Sequence, residues 1–501
     1  MDTESLRARL LELEEPCSIP ASGDAAITSA AVQPATLGDP GFQDSYSVSL
    51  SYAAGAMANG IASEALVEAM AGQGLLASFG AAGLLPDRIA AAIDRLEAAC
   101  PGRPYAFNLI HNPSEDVLER RTVELYLQRQ VAMVEASAFL DLTPHVVRYR
   151  VAGLRLHPDG QIERRNRLIA KVSRREIATK FLEPAPAAVV AGLVRAGEVT
   201  EQQAALAARV PMCDDLTVEA DSGGHTDNRP LVCLLPSMIE LRNEIQARHR
   251  FETPVRVGAA GGISTPAAAL AAFMMGAAYV VTGSVNQSCR EAGCSPHTKA
   301  LLAEAGMADV MMAPAADMFE MGVKVQLLKR GTFFPMRAQR LYELYQRYES
   351  LTELPDDERE RLERQVFRRG LDQIWDEVQR YFHARDPQQI ARAEDNPKRK
   401  MALIFRWYLG LSSRWSNSGE QGREMDYQIW CGPAMGAFND WVRGSYLEAP
   451  ERRSVVDVAR NIMRGAAYLY RLQDLTMKGV RLPAELWRYR PEPLSTPALS
   501  R

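Results

Sequence analysis

The sequence predicts a (β/α)8 barrel carrying a second, mainly helical unit. Three observations predict it. Between about Val48 and Ser284, short apolar runs that end in small residues alternate with helical stretches. Those runs are apolar on both faces, as the strands of a covered parallel sheet must be. After about Asn286 the alternation stops, and long amphipathic helices rich in Arg, Glu, Tyr and Trp take over.

Residues 1–42 read as a lead-in. A short helical stub is followed by "SIPASGDAAITSAAVQPATLGDPG", whose Ser, Ala, Pro and Gly favour a loosely ordered segment. The stub is acidic early and has no signal-peptide apolar stretch.

Residues 43–290 read as the barrel. Its eight strands are expected in "SYAAGAMANG", "GLLASFGAAG", "YAFNLIHN", "VAMVEASAF", "RLIAKVSR", "LTVEADSGG", "VRVGAAGG" and "AYVVTGS". Stretches such as "SEALVEAMAGQ", "PDRIAAAIDRLEAAC" and "PSMIELRNEIQARH" supply the helices between them. A doubly wound open sheet is the alternative. "GLRLHPDGQIERR" departs from the rhythm and predicts a β-hairpin turned at Asp159-Gly160. "AAALAAFMMGAAYVV", Ala267 to Val281, is shorter than the roughly 20 residues of a membrane span. Gly276 also breaks it, so a helix followed by a strand is expected.

Residues 291–501 read as a mainly helical, substrate-capping unit with a Pro-rich tail. "LYELYQRYESL" and "DERERLERQVFRRGLDQIWDEVQRYF" are amphipathic at helical spacing. The basic "NPKRK" (Asn396 to Lys400) reads as a solvated patch, with an acidic carrier or a nucleotide phosphate as the functional alternative.

Composition narrows the function classes. Apolar residues are 47% and charged residues 24%, with a net charge of −4, so no basic field points to nucleic acid or anionic membrane. Seven cysteines are scattered without a C-x-x-C pair, so neither a metal site nor a disulfide framework is expected. Reduced thiols fit a cytoplasmic protein.

In a (β/α)8 barrel, chemistry sits where strands end. "GAAGGIS" follows the seventh strand and "TGSVNQ" the eighth, the two loops that commonly hold a phosphate in this fold. Glycines there let amide N–H groups approach an anion, from a cofactor such as FMN or from a substrate; tight turns without a ligand are the alternative. Asn59 ends "GAMANG", where small residues admit a flat ring against which Met57 packs, or simply fill the core. Asn108 is placed to bond a ring edge or to cap a turn. Lys171, inside an apolar strand, requires an anionic partner: either a reduced ring or Glu219 of the next strand. His225 follows the pair Gly223-Gly224 in "VEADSGGHTDNRP" and is one of only seven histidines. Its unperturbed pKa of roughly 6.5 suits proton transfer, and packing on a cofactor is the alternative. His111 is the only rival near the mouth. Asp317 and Glu320 are expected to cap a helix or to orient a ligand, with capping preferred.

These motifs are similar to those of the PfaD-type enoyl reductases of polyunsaturated fatty acid synthases and trans-acyltransferase polyketide synthases. The resemblance rests on "GAMANGIAS", "FGAAGL", "NLIH", "AKVSR", "EADSGGHTDNRP", "GAAGGI", "TGSVNQ", "PAADMFE", "LLKRGTFFP", "FRWYLG" and "DYQIWCGPAMGAFNDW". It extends from about Gln43 to about Arg471. More distantly the barrel resembles nitronate monooxygenases. The resemblance implies FMN as cofactor and NADPH as hydride source. It implies the enoyl thioester of an acyl carrier protein domain as substrate, and a discrete subunit acting in trans. A homodimer is left open. Carried onto this chain, it makes His225 the catalytic residue. It also assigns cofactor contacts to Gly55, Met57, Asn59, Asn108, Lys171, Glu219, Ser222, Gly223, Gly224, Gly261, Gly262, Gly283, Ser284 and Gln287. A nitronate-type flavin oxidase and a non-catalytic carrier-docking subunit are the competing functions.

Overall fold

A computed structural model describes residues 2–20, 26–111 and 115–494. Part of the expected lead-in, the last residue of the "FNLIHN" motif and the end of the tail lie outside these residues. Eight parallel strands close into a barrel in chain order. They are β1 (Tyr52–Ala54), β2 (Leu76–Phe79), β3 (Ala106–Ile110), β4 (Met133–Ser137), β5 (Arg167–Val172), β6 (Asp215–Glu219), β7 (Arg256–Ala260) and β8 (Val280–Thr282). β8 returns to β1 with Val280 opposite Tyr52, which closes the ring. Each strand falls in one of the expected apolar runs, β6 starting one residue earlier at Asp215. All four residues of β2 are buried, because the barrel interior covers one face and the helices the other.

The amino-terminal end of the barrel is plugged. Helix Pro40–Tyr46 lies under it, and Phe42 stacks on Tyr279 with ring centroids 4.3 Å apart. The predicted hairpin pairs Leu154–Leu156 with Ile162–Arg164, and Gly160 supplies the positive φ of its turn. The apolar run from Ala267 splits as expected into helix Pro266–Met274 and strand β8. Among the described residues no single helix is long and apolar enough to cross a membrane.

Three expectations need correction. Where described, the lead-in is well ordered rather than loose: helix Thr3–Leu11 is followed by an antiparallel pair, Cys17–Pro20 with Ala26–Ser29. The cause is distant in sequence. The buried Arg471 donates to the carbonyls of Leu10 (3.2 Å), Glu12 (2.8 Å), Leu13 (3.3 Å), Glu15 (2.6 Å) and Ala30 (3.3 Å). A guanidinium's several donors can serve that many acceptors at once.

The region after residue 291 is mainly helical but also contains two strands, Val310–Pro314 and Lys324–Leu328. They form an antiparallel sheet with Gly224–His225, the segment that leaves β6. Helices Phe334–Arg347, Leu371–Arg385 and Pro397–Ser418 build a separate apolar core beside the barrel. Helix Val455–Met477 packs on the barrel helix Pro266–Met274.

The "NPKRK" cluster is packing rather than a solvated patch. Asn396 caps helix Pro397–Ser418. Lys398 donates to the Tyr348 carbonyl at 2.6 Å, and Lys400 lies 4.8 Å from the Trp375 ring centroid.

Replacing Arg471 by Met should leave several buried carbonyls without donors and cost about 3 kcal/mol or more. Limited proteolysis should then cut within the first 30 residues while the barrel's circular dichroism persists; a wild-type cleavage pattern would contradict this account.

Candidate active site

The carboxyl ends of the strands surround one cavity of about 620 Å3. Small-molecule sites commonly measure roughly 300–1,000 Å3. Every residue singled out from the sequence as a cofactor or catalytic group lines it. Gly55, Met57 and Asn59 come from the end of β1, Asn108 from β3 and Lys171 from β5. Glu219, Ser222, Gly223, Gly224 and His225 come from β6 and its turn. Gly261 and Gly262 follow β7; Gly283, Ser284 and Gln287 follow β8. His111 does not line the cavity; its Nδ1 is 2.8 Å from Glu119, which does.

The last two turns form a cradle of backbone donors. Gly261 and Gly262 have φ of +79° and +76°, which favours glycine. A Cβ on Gly262 or Gly283 would meet no atom within 4 Å, so both positions border open space. The amides of Gly261, Gly262, Gly283 and Ser284 find no hydrogen-bond acceptor among the described residues. The hydroxyl of Ser264, just beyond the first turn, is buried and likewise without a partner. Amides left without a protein partner at the rim of a cavity offer their N–H groups to a ligand, so such a group of donors fits an anion, and a phosphate suits it well.

Lys171 is held between two carboxylates. Its Nζ lies 3.3 Å from Glu219 and 3.6 Å from Glu135. Burial disfavours its charge, but the two carboxylates outweigh that and push its pKa well above the ordinary lysine value. The ion-pair alternative for Lys171 is therefore present, with a second carboxylate added to it. Glu135 itself is buried and takes the Ala56 amide at 3.3 Å, which ties β4 to the end of β1. Ser222 donates to Glu219 at 3.2 Å.

Two carboxamides are committed to the protein. Asn108 donates to the Glu135 carbonyl (3.0 Å) and to Ser137 Oγ (2.9 Å), leaving only its own carbonyl oxygen for a ligand. Asn59, at φ +56°, donates to Ser413 Oγ at 3.0 Å and so ties β1 to helix Pro397–Ser418.

His225 sits in the sheet formed with Lys324–Leu328, opposite Val325. The turn before it is locked by Gln326, which donates to Asp221 Oδ1 and to the Ser222 carbonyl, both at 2.7 Å. Behind it the segment Cys431-Gly432 passes so close that a Cβ on Gly223 would lie 2.8 Å from the Cys431 nitrogen. Gly432 N in turn donates to Ser284 Oγ at 3.1 Å.

The imidazole Nε2 is 3.2 Å from Asp317 Oδ1. Asp317 is thus the partner of His225 and not a helix cap, and Glu320 pairs with Arg406 at 3.3 Å instead. Burial lowers the pKa of His225, but the charge and hydrogen bond of Asp317, with Glu219 behind them, raise it overall. Burial would raise Asp317, yet the imidazolium and Arg406 hold it below the ordinary carboxylate value.

Sequence reasoning missed Glu135, Arg406 and the aromatic side of the cavity, where Tyr381, Phe382, Trp407 and Trp430 gather. Glu135 carried a signal, a charged residue inside an apolar run. The others come from the helical unit, whose faces cannot be assigned to a cavity from spacing alone.

The family model for nitronate monooxygenase matches residues 51–341, and that for the inserted helical domain of [acyl-carrier-protein] S-malonyltransferase matches residues 348–427. A polyunsaturated fatty acid synthase subunit of Thraustochytrium sp. is 48% identical over 499 residues, covering 95% of this chain and 33% of that protein. Polyketide biosynthesis protein PksE of Bacillus subtilis is 45% identical over 435 residues, covering 87% of this chain and 56% of that protein. The chain therefore spans between a third and about half of these curated relatives. Among solved structures, the enoyl reductase domain of MlnA from the macrolactin biosynthesis cluster of Bacillus amyloliquefaciens superposes with a TM-score of 0.84 at 36% identity, over 88% of this chain and 99% of that one. The chain belongs to the nitronate monooxygenase family of barrels and, within it, to the PfaD-type enoyl reductases of polyunsaturated fatty acid and polyketide synthases.

Proposed function

We propose that the protein is an FMN-binding, NADPH-dependent enoyl reductase. Its substrate would be the α,β-unsaturated thioester held on an acyl carrier protein of a polyketide or polyunsaturated fatty acid synthase. The observation that carries this reading is the convergence on one cavity of the unpaired amide cradle and the His225–Asp317 pair.

The cradle at Gly261-Gly262 and Gly283-Ser284 would hold the cofactor phosphate, and the strand ends from Gly55 to Glu219 would surround its ring. When bound, FMN supplies the two-electron relay that carries hydride from NADPH to the β-carbon. The protein's part is to complete the reduction. Saturating the double bond also requires one proton at the α-carbon. In the protonated ring, Nε2–H stays on Asp317, and Nδ1–H is the proton available to the α-carbon. The neutral ring is then reprotonated from solvent. Because the His225 pKa is raised, the donor form persists to higher pH than for an unpaired histidine, and activity should fall as pH rises through that pKa. Tyr381, Phe382, Leu403, Trp407 and Trp430 would cover the acyl chain and limit water near the reacting carbons.

The match to nitronate monooxygenase over residues 51–341 favours one second reading, a flavin oxidase acting on nitronates. The two differ in product. Incubation with an enoyl-loaded carrier protein and NADPH should raise the intact mass of the carrier by two hydrogens. Oxygen uptake on a nitronate, with no change in the carrier, would sustain the oxidase instead.

His225→Ala should keep the yellow flavin but lose about 100-fold or more in turnover. Turnover equal to wild type would remove the ring from the mechanism. Asp317→Asn should move the His225 titration, followed by NMR of the labelled ring, to lower pH, since burial is then opposed only by the charge of Glu219. Gly283→Val places its branches in open space, so it should weaken FMN binding by about tenfold or more with little change in apoprotein melting. Unaltered FMN affinity would mean that the phosphate lies elsewhere.

A further inference from the structure

The barrel has a second cavity at its opposite end, of about 550 Å3. It opens among the amino-terminal ends of β3 to β7, away from the active-site mouth, with the plug helix Pro40–Tyr46 alongside. Arg103, Arg164, Arg165, Arg167 and Arg256 line it, against only two carboxylates, Glu163 and Asp214.

The nearby carboxylates neutralise only part of this charge. Asp215 is occupied by Arg256, at 2.7 and 2.8 Å. Asp214 is shared between the buried Arg150 (2.7 Å) and Arg164 (3.1 Å). Glu163 lies 4.0 Å from His157. Arg165 donates to the neutral Gln130 at 3.0 Å. Arg167 rests over the Tyr46 ring, 5.4 Å from its centroid, and neither it nor Arg103 makes an ion pair among the described residues. The cations also disturb one another. Burial lowers the pKa of Arg164, Asp214 opposes that, and Arg150, Arg256 and Arg167 add to the lowering.

The chemistry of the mouth uses none of these side chains. A concave polar site with surplus guanidinium charge is matched by an anion that accepts from several directions, as a phosphate group does. We infer that this basal cavity is a second ligand site, taking a small molecule that carries phosphate. Its occupancy would relieve the repulsion and stabilise the barrel by linkage. The inference stands independently of the function proposed for the mouth.

The test uses FMN-loaded protein, so that the other phosphate cradle is filled. Pyrophosphate is titrated by calorimetry at constant ionic strength set with chloride, and melting is followed in parallel. Saturable one-to-one binding is expected, with a raised melting temperature. Arg103→Glu, on an exposed turn, and Arg167→Gln should each weaken the affinity about tenfold or more. Absence of saturable binding to the wild type overturns the inference, as does wild-type affinity in Arg103→Glu. If Arg167→Gln fails to fold, Arg103→Glu alone decides.

Discussion

Two chain segments cross at Gly223 and Gly432 with no space for a side chain on either. A Cβ on Gly432 would lie 2.8 Å from the Gly223 nitrogen, and the converse approach to Cys431 is equally tight. The geometry of the mouth depends on this crossing. It seats the turn after β6 against the segment that leads into helix Ala434–Val442, and Gly432 reaches Ser284 at the turn after β8. The turn is held from one side by this contact and from the other by Gln326. His225 is therefore fixed by backbone pairing rather than by its own side chain, and its ring is free to meet Asp317 and the cavity.

The electrostatics of the cavity follow one rule: each buried charge is matched within hydrogen-bond reach or close to it. Lys171 is matched by Glu219 and Glu135, His225 by Asp317, and Arg406 by Glu320. Burial alone would neutralise such groups. The exceptions are uncharged: four backbone amides at the β7 and β8 turns, and the nearby Ser264 hydroxyl, have no acceptor among the described residues. A site that pairs its charges and leaves these neutral donors unpaired favours an anion there.

The barrel was legible because its strands are covered on both faces. Residue-by-residue burial of runs such as Leu76–Phe79 leaves no polar face to blur the apolar signal. The mouth was legible because Gly261, Gly262 and Gly224 occupy backbone conformations that favour glycine, and glycine pairs stand out in a chain. The missing parts share a cause. Asp317 lies 92 positions from His225, and the Arg471 that orders the lead-in lies more than 440 positions from its partners. Local composition carries no trace of such pairings. The strands Val310–Pro314 and Lys324–Leu328 are short apolar runs among helices, a pattern that spacing does not separate from helix.

Residues 313–409 gather around their own apolar interior, distinct from the one that fills the barrel. The aromatic wall of the cavity and the floor that holds the turns are therefore packed by different sets of side chains. Substitutions that widen or narrow that wall need not disturb the strand ends. A lineage could thus diversify what the cavity admits by repacking one module, while the strand-end turns and the His225–Asp317 pair are inherited intact.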